Sequence, residues 1–86
     1  MTDSELIAAV NEVFQDSFEI PPEQIKPEAQ IFTDLGLDSL DVVDLVAAIQ
    51  KRFNVQVRDD ERVRSIRTLQ DLYIYLGMIQ AEQNKG

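Results

Sequence analysis

Ser39-Leu40-Asp41-Val42-Val43-Asp44-Leu45-Val46-Ala47-Ala48-Ile49-Gln50-Lys51-Arg52-Phe53 is the stretch on which the fold turns. Leu45, Ile49 and Phe53 recur at intervals of four, and Leu40, Val43 and Ala47 at three and four, so the segment reads as one amphipathic helix with two apolar stripes. One stripe is enough for the core of so small a domain. The second is either part of a wide core face or a surface left for a partner, and periodicity alone does not choose between them.

Upstream, Gly36 supplies a tight turn just before this helix. Residues 19–38 hold all three prolines and show no sustained period. Their apolar side chains, Ile20, Ile25, Ile31, Phe32, Leu35 and Leu37, are too many to be left in water. The segment therefore reads as a long loop that packs its own hydrophobic residues against the helices, and connections of that length tend to be functional. Before it, Leu6, Val10, Val13, Phe14 and Phe18 mark a first helix from Asp3 to about Ser17. Ser4 or Asp3 is its expected N-cap, and Ile7 and Ala8 are expected to widen the buried stripe. Pro21 and Pro22 stop it.

Downstream, Asn54 to Val57 is a short extended piece. Residues 59–67 suggest a turn or two of helix, led by Asp59, Asp60 and Glu61, finished by Arg62, Arg64 and Arg67, and buried through Val63 and Ile66. Thr68-Leu69-Gln70-Asp71 reads as a variant capping box opening a last helix, with Leu69, Leu72, Tyr73, Leu76 and Ile79 on one face. Gly77 lies inside that pattern and weakens it, while Ile74 and Tyr75 fit either core or contact. The expected fold is all-α: a small four-helix bundle with three main helices, a short third helix and a long loop between helices 1 and 2. It forms a single domain over residues 1–86, folded from about 3 to 83, with a flexible C-terminal tail.

Composition narrows the function. The 86 residues include no Cys and no His, which removes disulfides, thiolate metal sites, an intrinsic thiol nucleophile and Ser-His or Cys-His catalysis. Catalysis by carboxylates alone is remote in so short a chain, and the protein reads as a non-enzyme. The acidic start has no secretory pattern, and no apolar run approaches the ~20 residues of a membrane span, so a cytoplasmic location is expected. Sixteen acidic against eight basic residues give a net charge of −8, which argues against nucleic acid and for basic protein partners. Residues 1–50 hold eleven acidic residues and one basic residue, Lys26, for −10, and residues 51–86 hold five acidic and seven basic, for +2.

At the junction of loop and helix stands Asp34-Leu35-Gly36-Leu37-Asp38-Ser39-Leu40-Asp41. A Ser at a helix start projects its hydroxyl near unpaired backbone N–H groups, where a phosphodiester is favoured by roughly 0.3–1 kcal/mol. The same Ser is also a good N-cap in its own right, unless Asp38 caps and leaves it free. Here the chain resembles the acyl carrier proteins, through the Asp-Ser-Leu motif, the Leu-Gly turn before it and the order of helices across nearly the whole chain.

The resemblance implies that a phosphopantetheinyl transferase moves 4'-phosphopantetheine from coenzyme A onto Ser39, flanked by Asp38 and Leu40. It implies that Leu40, Asp41, Val43, Asp44 and Ala47 form the face gripped by partners. These are acyl-transferring, condensing or acyl-loading enzymes with basic docking patches, meeting a monomer. Because the chain has no Cys, a thioester requires an imported thiol, which the arm provides. The implied role is carriage of acyl thioesters in fatty acid, polyketide or related specialised lipid synthesis.

A peptidyl or D-alanyl carrier is the nearest alternative, although the Asp before Ser39 favours the acyl type. An unmodified acidic adaptor for basic proteins is another. Asp34, Asp38, Asp41 and Asp44 lack the spacing of a calcium-binding loop, so any cation binding there is weak and incidental. Many family members stay acidic through the third helix, whereas this chain has Lys51, Arg52, Arg58, Arg62, Arg64 and Arg67. Those residues are either surface variation or a change in which enzymes dock.

Overall fold

Helix α1, Asp3–Phe18, starts at Thr2, whose hydroxyl accepts the Glu5 N–H at 3.2 Å while the Glu5 carboxylate accepts the Thr2 N–H at 3.3 Å. The structure is a computed structural model and describes residues 2–57 and 61–83. The cap expected at Ser4 or Asp3 thus lies one or two residues earlier. Only Thr2 has a Glu three residues on to complete the reciprocal pair, since Asp3 and Ser4 are followed at that spacing by Leu6 and Ile7. The Thr2 N–H and, at 3.1 Å, the Thr2 hydroxyl both donate to the Glu5 carboxylate and hold it below its ordinary pKa. Leu6, Ala9, Val10, Val13 and Phe14 are buried, but Ile7 and Ala8 are exposed. At 3.6 residues per turn Ile7 falls on the edge of the Leu6-Val10-Val13 stripe and Ala8 on the far side, so the stripe is narrower than expected.

The helix closes at Glu19, which turns left-handed at φ 54° and donates its N–H to the Phe14 carbonyl. The loop after it includes one turn of 3₁₀ helix at Pro22–Gln24. As anticipated, it buries Ile20, Ile25, Ile31 and Leu37, with Ala29 added and Leu35 half-buried, whereas Phe32 is 47% exposed. Phe32 stands in the turn that follows Ile31, where it forms part of the rim of an apolar cavity rather than of the core.

Backbone pairing with residues 67–70 fixes the path of this connection. Ile31 donates to the Arg67 carbonyl at 2.9 Å, Leu69 to Ala29 at 3.0 Å and Gln70 to Pro27 at 2.9 Å, around an isolated antiparallel bridge between Gln30 and Thr68. Among the described residues there is no longer strand.

Helix α2 is Ser39–Phe53, α3 is Glu61–Arg64 and α4 is Leu69–Gln83. Asp59 and Asp60, expected to lead the short helix, and residues 84–86, expected to be a flexible tail, lie outside the described residues. The capping box expected on α4 forms: Asp71 donates its N–H to the Thr68 hydroxyl at 3.2 Å, and Thr68 and Arg67 donate theirs to the Asp71 carboxylate at 3.2 and 3.0 Å. These N–H donors, Arg67 first, pull the Asp71 carboxyl below its ordinary pKa. Leu69, Leu72, Tyr73, Leu76 and Ile79 face the core as expected; Tyr75 joins them at 4% exposure, and Ile74 at 55% does not. Helix α1 packs on both α2 and α4, and the Tyr73 hydroxyl crosses to it, donating to Asn11 Oδ1 at 2.6 Å. Among the described residues no helix is long and apolar enough to cross a membrane.

Candidate attachment site and docking face

The turn before α2 determines how its first residues are shown to solvent. Gly36 sits at φ +73°, in the left-handed region that favours glycine, and lets the chain reverse so that Leu37 drops into the core. Asp38 follows in extended geometry and caps the helix: its Oδ1 accepts the Asp41 N–H at 3.0 Å, and Asp41 Oδ2 accepts the Asp38 N–H at 3.2 Å.

Ser39 therefore begins the helix proper rather than capping it. Its residue is exposed, and among the described residues its hydroxyl enters no hydrogen bond. The N–H groups of Ser39 and Leu40, in the first helical turn, have no intrahelical acceptor. A phosphodiester on Ser39 Oγ thus meets backbone donors and the positive end of the helix dipole without displacing any contact. The residues present fit the group.

The two stripes of α2 divide as follows. Leu45, Ile49 and Phe53 are buried; Leu40 is 77% and Val43 65% exposed, and Ala47 is exposed with them. The helical repeat sets the two sets roughly 150° apart, so the second stripe is a separate surface and not the edge of a wide core face. Asp44 is exposed beside it, whereas Asp41 is half-buried and committed to the cap. Of the two docking charges expected, Asp44 is the free one. Among the described residues no three acidic side chains come together as a metal site.

A feature missed in the sequence lies along the edge of the buried stripe. Val42 and Val46, half-buried, line an apolar cavity of about 280 Å³ together with Phe32, Val63, Ile66 and Tyr75. The signal was present, since Val42 and Val46 are four apart and adjoin the Leu45-Ile49 stripe, but nothing in their spacing distinguishes a cavity wall from packed core.

A family model described as the phosphopantetheine attachment site matches residues 8–76. Acyl carrier protein 2 of Ralstonia nicotianae is 35% identical over 81 residues, spanning 94% of this chain and 95% of that protein. The chain belongs to the acyl carrier protein family. Acyl carrier proteins of Syntrophobacter fumaroxidans (40% over 70 residues, 81% of this chain and 85% of theirs) and Wolinella succinogenes (39% over 67 residues, 78% and 87%) agree. Acyl carrier proteins are non-catalytic carriers whose prosthetic group is phosphopantetheine, so this chain works with a phosphopantetheinyl transferase and with acyl-handling enzymes. The alternative of an unmodified adaptor gives way to it.

Proposed function

We propose that Ser39 is the residue that receives the phosphopantetheine arm, and that the arm carries acyl intermediates of a fatty acid, polyketide or related specialised lipid pathway in the cytoplasm. The observation that carries this reading is the exposed Ser39 hydroxyl at the start of α2, left without a structural duty because Asp38 and Asp41 cap the helix between themselves. The arm supplies the thiol for a thioester. The chain's own residues present it: Asp38 fixes the helix start and Ser39 holds the ester. Leu40, Val43 and Ala47, with Asp44 and the outer edge of Asp41, offer apolar contact ringed by negative charge to enzymes with basic patches.

The cavity favours an acyl cargo over an aminoacyl one. Its lining is almost wholly apolar, from Val42 and Val46 to Tyr75, which suits a hydrocarbon tail and leaves a charged amino group unsolvated. Competitive loading tests this. The arm-bearing protein is offered to an acyl-loading enzyme and to an aminoacyl-activating synthetase, and the thioester is identified by mass. Acyl product is expected; exclusive aminoacyl product supports the peptidyl or D-alanyl alternative instead.

A further inference from the structure

Helix α3 has only four residues, and none of its side chains is fully buried. A single turn has little stability of its own, so contacts with the rest of the fold must hold it in place. Two arginine side chains, Arg62 and Arg67, make contacts that bear on it. Arg67, three residues beyond the helix, folds back on its end, donating to the Arg64 carbonyl at 2.7 Å and the Ile66 carbonyl at 3.3 Å. Arg62 reaches across to α4, where its Nη1 donates to Glu82 Oε2 at 2.8 Å and its guanidinium lies 5.8 Å from the centre of the Tyr75 ring.

The position of Tyr75 gives this bridge its meaning. Tyr75 and Ile66 line the apolar cavity on one side and, on the other, an outer groove that Arg62 also lines. They form a partition one side chain thick, with the cavity inside and Arg62 outside. Val63, the residue after Arg62, lines the cavity as well. The Arg62–Glu82 pair thus draws α3 against α4 directly over the cavity wall.

We infer that Arg62 and Glu82 form a clasp that holds α3 as a closed wall of the cavity and so sets how long a carried acyl chain stays sheltered from solvent. This rests on the carrier reading above and on the cavity taking the apolar end of the chain. It gives the arginines an intramolecular task in place of, or besides, partner selection. Both members are about half exposed, with side chains 42% and 53% accessible, so the clasp is weak, yields to salt and suits a wall that must open.

The test uses the full chain carrying octanoyl-phosphopantetheine, transferred from octanoyl-coenzyme A by a phosphopantetheinyl transferase. At about 30 Å³ per carbon group, roughly the share of one water in the liquid, that chain fits the 280 Å³ space. Cleavage of the thioester by hydroxylamine is followed by intact mass. Arg62→Gln and Glu82→Gln each accelerate cleavage by about two- to fivefold, the range an exposed ion pair supports, and the charge-swapped Arg62→Glu/Glu82→Arg protein returns toward the parent rate. High salt brings the parent toward the single variants.

The acetyl-loaded forms, too short to reach the partition, all react alike. Equal rates across the octanoyl-loaded forms overturn the clasp, as does an equal acceleration of the acetyl-loaded variants. Failure of the parent chain to accept the arm overturns the carrier reading beneath it and is seen at the loading step.

Discussion

The Asp41 N–H lies 3.0 Å from Asp38 Oδ1 and the Asp38 N–H 3.2 Å from Asp41 Oδ2, a closed exchange that passes over Ser39. Stability and modification are thereby assigned to different residues. Asp38→Ala should destabilise the fold by about 1 kcal/mol through loss of the cap, whereas Ser39→Ala should change it by less than about 0.5 kcal/mol, as expected of an exposed side chain without partners. Urea unfolding of both variants checks the pair. A larger loss for Ser39→Ala than for Asp38→Ala would reverse the assignment.

The two stripes of α2 should separate in the same way. Ile49, 2% exposed, sits in the core, and Ile49→Ala should cost about 2–5 kcal/mol. Leu40, 77% exposed, should tolerate Ala within about 0.5 kcal/mol while the KM of the phosphopantetheinyl transferase rises about fivefold, the equivalent of one interface contact worth ~1 kcal/mol. Steady-state loading kinetics alongside denaturation measures both.

Asp71 links the fold to pH. Its carboxyl is pulled below its ordinary pKa by the Arg67 and Thr68 N–H groups, so the folded state prefers the ionised form. That contribution is present above the unfolded pKa, near pH 4, and is lost as pH falls through the lower folded value. Asp71→Asn should therefore lower stability at neutral pH and flatten its decline below about pH 4. A thermal-melt series from acid to neutral pH reads the effect; parallel curves for the two proteins would exclude it.

Gly77 lies inside the continuous helix α4, and a Cβ there would meet nothing within 4 Å. Gly77→Ala should raise stability by about 0.5–1 kcal/mol by restricting the unfolded chain and improving helix propensity. A drop in the melting temperature would mean that the glycine has a packing role that its surroundings do not reveal.

The legible parts of this fold were those set by local rules. The helices around Val10, Ile49 and Leu76 follow from spacing, the stop after Phe18 from Pro21 and Pro22, and the α4 cap from Thr68 and Asp71. The Asp38 cap that frees Ser39 was one of two readings open in the sequence, and hydrogen-bond geometry chose it. What stayed hidden depends on groups distant in the chain. The bonds from Ile31 to Arg67 and from Leu69 to Ala29 join backbone atoms, which carry no residue signature. The exposure of Phe32 follows from a turn seated at the cavity rim, and the pairing of Arg62 with Glu82 spans 20 positions. Ile7 was misjudged because a helix edge and a helix face share the same spacing, and only the neighbours decide which is buried.

The full apo chain, incubated with a phosphopantetheinyl transferase and coenzyme A, should gain the mass of one phosphopantetheine and no more. Peptide mapping should place it on the fragment containing Ser39, and Ser39→Ala, folded as well as the parent, should gain none. An arm on any other residue, or a parent chain that stays unmodified beside a control carrier loaded in the same tube, would contradict the role given to Ser39.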